Sequence, residues 1–154
     1  QFKWWDGWWS SDANTVKKRL IEYIWRYNSP DKGYDIQGFE YWTGQYGPDK
    51  PNKNLGNHYD KDELHHKRTG EIVRPVVGTV FYPKDIPFKG GLLEIETEGE
   101  TESIKAKYNR LVIFNAGNDL HRVTEVTSGE RFAIAINLWD TIPVGVAEGQ
   151  LEQE

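Results

Sequence analysis

HRVTEVTSGERFAIAINLW, residues 121–139, has the clearest β-strand pattern in the chain. Apolar and β-branched residues recur on both sides of Thr127-Ser128-Gly129, and such a polar, glycine-containing triplet is typical of a tight turn. We interpret the stretch as a β-hairpin with a three-residue turn in which Gly129 adopts the left-handed conformation. In this register Val126 pairs with Glu130.

The predicted hairpin places side chains of different chemistry on one face of a sheet. His121 faces Ala135, and Arg131 and Ala133 share that face because side chains alternate along a strand. Arg131 lies roughly 13 Å along the strand from the partner of His121, and Glu125, opposite Arg131, could pair with it. We therefore predict a slot with a metal ligand at one end and a carboxylate-binding guanidinium at the other. A two-residue turn would instead put Arg131 and His121 on opposite faces.

A second polar stretch, GNHYDKDELHH at residues 56–66, holds three of the four histidines. His58 and Asp60 point to the same face if this stretch is a strand. Alone they are more simply explained as a polar strand end. Together with His121 they offer two imidazoles and one carboxylate, the facial set that binds Fe(II) in non-haem oxygenases.

Short runs of β-forming residues, separated by polar turns, make up most of the chain after residue 33. The predicted strands are 34–43, 57–60, 75–82, 92–96, 103–108, 110–114, 122–126 and 131–139. The predicted turns and loops are 47–56, 61–70, 83–91 and 127–130. His65 and His66 are therefore expected to be loop residues rather than ligands. This strand spacing is typical of a sandwich or a jelly-roll barrel.

The N-terminal segment, about residues 1–33, combines aromatic and helical character. QFKWWDGWWS, residues 1–10, is predicted to be a strand or an arm that packs on the body of the protein. The helix that follows is expected to be capped by Ser11 or Asp12 and to end at Asn28-Ser29-Pro30. Its predicted apolar stripe consists of Val16, Leu20, Ile21, Ile24 and Tyr27. Its predicted solvated face carries Lys17, Lys18, Arg19 and Arg26.

Length and composition limit the classes of site and partner. The 154 residues suit one domain, with a core at about 34–140 and an acidic, frayed tail from Gly145. The absence of cysteine excludes disulfides and thiolate sites. A net charge of −5 with mixed signs argues against a nucleic-acid partner. No apolar run approaches a membrane span of about 18 residues, so we expect no membrane partner and a cytoplasmic location. The oligomeric state is left open.

Four features in order resemble the 2-oxoglutarate- and Fe(II)-dependent dioxygenases, in particular the prolyl 4-hydroxylase-like branch. They are His58-Tyr59-Asp60, RPVVGTVFYPKDIPFKGGLLEIE at 74–96, RLVIFNAGNDLHRV at 110–123, and Arg131, ten positions beyond His121. The resemblance covers about residues 34–140. It implies a double-stranded β-helix, or jelly-roll, fold with a flanking helix, and a single catalytic domain over residues 1–154.

The resemblance also implies roles for individual residues. His58, Asp60 and His121 would bind Fe(II), Arg131 would bind the distal carboxylate of 2-oxoglutarate, and Tyr82 would contact the same carboxylate. Ascorbate is a further cofactor candidate. The implied reaction is hydroxylation of a prolyl or similar side chain in a peptide or protein, with release of succinate and CO2; a small-molecule substrate is the alternative.

Three positions bear on the substrate more than on the reaction. Many prolyl 4-hydroxylases have lysine where Arg131 stands, and some members have tryptophan where Asn137 stands. Tyr46 is similar to a family tyrosine upstream of the metal motif, but the intervening loop is longer here. Whether Tyr46 or Asn137 contacts the co-substrate is left open.

Two other functions fit the residue pattern. One is a cupin-like metal enzyme that does not use 2-oxoglutarate, although such enzymes usually carry more histidine ligands. The other is a jelly-roll module that binds carbohydrate or peptide through a tryptophan-rich surface. Activity that is insensitive to loss of Arg131 would favour the first, and chelator-insensitive ligand binding would favour the second.

Overall fold

The computed structural model describes residues 2–28, 34–149 and 152–153. Its helical elements are α1 (Val16–Glu22), a π-helical turn (Tyr23–Tyr27), α2 (Glu63–Thr69) and α3 (Val144–Ala147). Its strands are β1 (Lys3–Trp5), β2 (Gly38–Tyr46), β3 (Leu55–His58), β4 (Val77–Phe81), β5 (Phe88–Gly90), β6 (Leu93–Thr97), β7 (Glu100–Ile104), β8 (Leu111–Phe114), β9 (Leu120–Val123), β10 (Val126–Gly129), β11 (Arg131–Trp139) and β12 (Glu152–Gln153).

The strands form two main sheets that face each other, as expected for the predicted jelly roll. The larger sheet has the order β12-β1-β2-β11-β4-β8, the smaller has the order β3-β9-β6-β7, and β10 pairs with β5. Buried side chains from both sheets, including Leu93, Ile95 and Ala133, pack together between them. The space between the sheets is therefore partly filled by core and partly left for a site.

Strand β11 separates the core from the site by the alternation of its side chains. It pairs with β2 along its whole length and with β4 on its other side. Ile134, Ile136 and Leu138 pack into a cluster with β1, β2 and the N-terminal helix. Arg131 and Asn137 occupy the opposite face, which lines the space between the sheets.

Ile136 supplies a test of this core. Its side chain is 0% exposed, so Ile136→Ala is expected to lower the free energy of unfolding by about 2–5 kcal/mol through lost burial and a residual cavity. Denaturant titration measures the change. Val16→Ala is the control, because Val16 is 72% exposed and its loss is expected to cost no more than about 0.5 kcal/mol. Equal effects of the two variants would contradict the packing.

The predicted hairpin at 121–139 is wrong, although the strand Arg131–Trp139 and the left-handed Gly129 are confirmed. The predicted strand 122–126 is divided: β9 lies in the smaller sheet between β3 and β6, whereas β10 pairs with β5. The chain leaves the smaller sheet at Thr124, whose backbone N–H bonds to Leu92 O at 2.9 Å. Neighbouring strands in sequence here belong to different sheets, which a local reading of turn residues cannot detect.

The N-terminal helix begins later than predicted. Thr15, rather than Ser11 or Asp12, caps α1, and its hydroxyl accepts a hydrogen bond from the backbone N–H three residues later at 3.2 Å. The helical residues end with the π-helical turn, and Ser29 and Pro30 of the predicted stop lie outside the described residues.

The buried face of the N-terminal helix also differs from the predicted stripe. Val16 and Tyr27 are exposed, whereas Trp25 and Lys18 are buried. A π-helical turn contains more residues than an α-helical one, so the turn at Tyr23–Tyr27 shifts Trp25 and Tyr27 relative to an α-helical stripe. Val16 and Lys18 precede this turn and are not affected by it. Lys18 remains satisfied because its ammonium bonds to Asn14 Oδ1 at 3.2 Å.

Two segments that were predicted to be irregular contain regular secondary structure in their described residues. Segment 61–70 was predicted as a loop but contains α2, which Asp62 caps and which ends at Gly70 in the left-handed conformation. Part of the tail that was predicted to be frayed from Gly145 is regular, because Val146 in α3 is buried and β12 pairs in parallel with β1. In the described part of the chain, no helix combines the length and hydropathy needed to cross a membrane.

Candidate active site

His58, Asp60 and His121 come together in the smaller sheet. His58 ends β3 and pairs in register with His121 on β9, and their ring centroids are 4.1 Å apart. Asp60 Oδ1 lies 3.3 Å from His58 Nε2 and 3.2 Å from His121 Nε2. One nitrogen or oxygen of each residue lies within 4.8 Å of the others. The three residues predicted from the sequence therefore converge on one point.

The backbone orients both imidazoles toward Asp60. His58 Nδ1 lies 2.8 Å from Gly56 O, and His121 Nδ1 lies 2.8 Å from Asp119 O. A carbonyl only accepts, so each Nδ1 carries a proton and donates it, which leaves a lone pair on Nε2 of the neutral ring. Two such lone pairs and a carboxylate oxygen then face one another. This donor set fits a divalent cation such as Fe(II).

The pKa values of Asp60 and His58 also favour a cation at the centre of the set. Burial raises the pKa of Asp60, but hydrogen bonds from His121 and His58 outweigh burial and hold that pKa well below its usual range. Burial lowers the pKa of His58, whereas its contacts with Asp60 and with the Gly56 carbonyl raise it above the ordinary value. A positive charge is thus favoured at the centre of the set, as a proton or as a metal ion.

Asn137 holds the other oxygen of Asp60. Its Nδ2 donates to Asp60 Oδ2 at 2.9 Å, and the side chain is buried on β11. The backbone N–H of Asp60 donates to Ala116 O at 2.9 Å. Asp60 Oδ1 is consequently left to face the two histidines. In the sequence, Asn137 was noted only as a departure from the family pattern. Its place on the same face of β11 as Arg131 could have predicted that it lies in the site.

Glu40 is a further acidic residue at the site that the sequence did not reveal. The same Asn137 Nδ2 lies 3.3 Å from Glu40 Oε1, and Trp139 Nε1 lies 3.4 Å from that oxygen. Burial, partly offset by the hydrogen bond from Asn137 and reinforced by the negative charge of Asp60, raises the pKa of Glu40 to about 7. Glu40 lies on β2, far from Asp60 in sequence, so no local motif signals it.

The raised pKa of Glu40 predicts a pH-dependent effect of Glu40→Gln on the metal-free protein. Because the folded-state pKa exceeds the ordinary 4.5, ionised Glu40 opposes folding increasingly as pH rises from about 4.5 to about 7. The variant is expected to raise the free energy of unfolding by about 1–3 kcal/mol at pH 8 and by less than about 1 kcal/mol at pH 5. Denaturant titrations at both pH values measure this, and a pH-independent difference would contradict it.

Arg131 is a buried cation at the start of β11, only 2% exposed. Its Nε donates to Gly91 O at 2.9 Å, and one terminal nitrogen donates to Tyr82 Oη at 3.0 Å. A Cβ on Gly91 would stand 2.8 Å from Arg131 Cδ, so glycine is needed for this approach. Among the described residues, no carboxylate, including the predicted Glu125, lies within ion-pair distance of the guanidinium. An uncompensated buried cation is costly, and the site fits an anionic carboxylate.

Two tyrosines flank the Arg131 guanidinium. Its carbon lies 5.2 Å from the Tyr82 ring centroid and 5.8 Å from that of Tyr46. Burial raises the pKa of Tyr46, with a partial offset from the charge of Arg131. A protonated Tyr46 and the hydroxyl of Tyr82 are both donors near the place where a carboxylate would bind.

One cavity joins the two halves of the site. It is lined by the His58, Asp60 and His121 set, by Arg131, and by the small Ala133 and Ala135. The predicted slot therefore exists, but it lies between two facing sheets rather than on one face of a hairpin. His65 and His66 are on α2 and are not part of the convergent set.

Comparison with known proteins gives the family. Residues 41–139 match the model of the 2OG-Fe(II) oxygenase superfamily. A PKHD-type hydroxylase of Hyphomonas neptunium is 50% identical over 54 residues, which are 35% of this chain and 24% of that protein. A PKHD-type hydroxylase of Teredinibacter turnerae is 31% identical over 88 residues, which are 57% of this chain and 38% of that protein.

Solved structures share the fold. A prolyl-4-hydroxylase of Pseudomonas putida has a TM-score of 0.53 at 19% identity, covering 80% of this chain and 60% of that one. An oxidoreductase of the 2OG-Fe(II) oxygenase family from Burkholderia pseudomallei has a TM-score of 0.54 at 13% identity, covering 86% of this chain and 61% of that one. These likenesses confirm the jelly roll, and the matched part is less than two thirds of each relative's length. With residues 41–139 accounted for by the family model, the chain belongs to the 2OG-Fe(II) oxygenase superfamily, whose members use Fe(II) and 2-oxoglutarate.

Proposed function

We propose that this protein is an Fe(II)- and 2-oxoglutarate-dependent dioxygenase. In this proposal His58, Asp60 and His121 bind the metal, and Arg131 and Tyr82 bind the distal carboxylate of the co-substrate. The observation that carries it is a single cavity with three convergent metal-ligand atoms and a buried arginine that has no carboxylate partner among the described residues. The three ligand atoms lack a cation, and the buried arginine lacks an anionic partner such as a dicarboxylate.

The protein residues divide the work between binding and orientation. His58, Asp60 and His121 would hold the metal from one side and would leave room for co-substrate and oxygen on the other. Arg131 suits one end of a diacid because its fork can bond both carboxylate oxygens, while Ala133 and Ala135 leave space along the slot. When bound, Fe(II) and 2-oxoglutarate would activate O2, so that one oxygen atom converts a substrate C–H bond to C–OH and the other enters succinate as 2-oxoglutarate loses CO2.

The substrate we propose is a prolyl or similar side chain of a peptide or protein. The shared fold with the Pseudomonas putida prolyl-4-hydroxylase supports this class, and the name of the PKHD-type hydroxylases supports hydroxylation as the reaction. We further propose that residues 1–154 act as one catalytic domain, that the protein works in the cytoplasm without nucleic acid, and that ascorbate can serve as an accessory reductant.

The binding module using a tryptophan-rich surface has less support. Trp4, Trp5, Trp25 and Trp139 are buried, so most of the tryptophans serve the core rather than a surface. The cupin-like alternative does not explain Arg131, because an enzyme without a diacid co-substrate has no need of a buried, unpaired guanidinium in the same cavity.

The test is an anaerobic titration of metal-free protein with Fe(II) and then with 2-oxoglutarate. We expect a weak visible charge-transfer band that requires both additions and saturates at one equivalent of each per chain. Succinate formation should accompany any hydroxylation once oxygen is admitted. Folded protein that binds no Fe(II) would overturn the proposal.

A further inference from the structure

A groove leads from the surface to the metal-binding set, and we call it the entrance groove. Its volume is about 490 Å³. It shares His58, Asp60 and Asn137 with the site described above. Its other walls include Phe2, Glu40, Trp42, Tyr59 and Leu64. Any substrate that brings a C–H bond to the metal through this opening must contact these residues.

Aromatic side chains form much of the wall of the entrance groove. Phe2 and Trp42 lie with ring centroids 4.7 Å apart, and Phe2 and Tyr59 are both exposed. Exposed aromatic rings beside a concave site can bind apolar groups. They can also bind cations, because the face of an aromatic ring carries partial negative charge. Aromatic walls alone do not distinguish these two kinds of ligand.

Glu40 favours a cationic ligand over a purely apolar one. It shares with Trp42 the side of β2 that faces the groove, because side chains alternate along a strand. Its Oε1 is held only by the long contacts to neutral Asn137 and Trp139 given above, and no described residue bonds to Oε2. No described Lys, Arg or His lies within ion-pair distance of Glu40, and Lys61 in the same groove is paired with Glu63 at 3.3 Å.

Glu40 is also close to the reacting centre. A single nitrogen, Asn137 Nδ2, lies 3.3 Å from Glu40 Oε1 and 2.9 Å from Asp60 Oδ2, so the two carboxylates are within about 6 Å of each other. A desolvated carboxylate costs folding free energy, and its retention beside a site is typical of a functional residue. A group that binds Glu40 would therefore belong to the residue being hydroxylated or to its immediate neighbour.

We propose that Glu40 selects substrates with a positively charged side chain at or next to the hydroxylated residue. The ammonium or guanidinium group of a lysyl or arginyl residue bonds to Glu40, and its aliphatic part lies against the rings of Trp42 and Phe2. This inference rests on the proposed function, because that function makes the groove the route of the substrate. It defines the substrate class as basic peptide segments.

The test compares the binding of small probes that differ in charge. N-acetyl-lysine methylamide, N-acetyl-arginine methylamide and N-acetyl-norleucine methylamide are titrated at pH 8, with tryptophan fluorescence and NMR shifts as readouts. The titrations use the metal-free protein and the protein loaded anaerobically with Fe(II) and 2-oxoglutarate. We expect the two cationic probes to bind wild-type protein at least about tenfold more tightly than the norleucine probe.

Two variants locate the preference. Glu40→Gln keeps the shape and the hydrogen bonds but removes the charge, and it is expected to reduce the preference to within about twofold. Glu63 is an acidic residue of the same groove, but its side chain is 73% exposed and already paired with Lys61. Glu63→Gln is therefore expected to retain the preference. Equal binding of all probes, no saturable binding of any probe, or a preference that survives Glu40→Gln would overturn the inference. Failure to bind Fe(II) would instead contradict the proposed function, since the metal-free titrations still measure the preference.

Discussion

Asp60→Ala is expected to weaken Fe(II) binding by at least about 100-fold. Asp60 Oδ1 is the negative atom between His58 Nε2 and His121 Nε2, at 3.3 and 3.2 Å. Without it the candidate ligand set consists of two neutral imidazoles and has no negatively charged ligand for a divalent cation. Even residues that only orient metal ligands are worth 10–100-fold in affinity, so a direct ligand should exceed that range. Anaerobic Fe(II) titration against a competing chelator measures the loss.

Two further variants make this prediction specific. Glu63→Ala removes an exposed carboxylate three residues from Asp60 and should leave Fe(II) affinity within about twofold, since a screened surface charge contributes little. Asn137→Ala frees Asp60 Oδ2 and is expected to cost about 10–100-fold, as for other residues that orient a ligand. Wild-type Fe(II) affinity in Asp60→Ala would remove this residue from the metal site.

Arg131→Gln is the second large effect, and it should separate co-substrate binding from metal binding. Removing one partner of a buried ion pair costs about 3–5 kcal/mol, so the 2-oxoglutarate concentration at half saturation is expected to rise at least about 100-fold. Fe(II) affinity should stay near the wild-type value, because the guanidinium contacts Gly91 and Tyr82 rather than the three ligands. Titration of the visible band with 2-oxoglutarate at saturating Fe(II) measures the shift.

The conservative variant and a surface control define the cause. Arg131→Lys keeps the charge but loses the planar fork, so an intermediate increase in the co-substrate requirement is expected. Arg26→Gln removes an exposed arginine whose partner, Glu22, lies one helical turn away at 3.0 Å, and it should change nothing. An unchanged 2-oxoglutarate requirement in folded Arg131→Gln would remove Arg131 from the co-substrate site.

The pairing of His58 and Asp60 as candidate metal ligands was predictable because its signal is local. His58 and Asp60 are two residues apart. In an extended segment alternate side chains lie on the same side, so these two side chains come together although β3 ends at His58. His121 and Arg131 were first singled out on one face of the predicted hairpin, and their place in family-like stretches then supported them. The slot predicted beside Arg131 coincides with the observed cavity, although it was predicted from a hairpin that the structure does not contain. Two strands in facing sheets can bring the same side chains together, so a correct juxtaposition did not require the correct pairing.

By itself the sequence determined the fold class, the family, the strand Arg131–Trp139 and the candidate residues His58, Asp60, His121, Arg131 and Tyr82. The strand and the His58–Asp60 pair depend on residue type and alternation, which are properties of neighbouring residues, whereas the family and the role of Tyr82 depend on the resemblance of four motifs in order. Only the tertiary structure decided that β9 and β11 lie in different sheets, that Lys18 is buried, and that Glu40 and Asn137 stand beside Asp60. These follow from strand pairing and burial between distant segments, whose free energies depend on the whole packed chain and leave no periodic trace in the sequence.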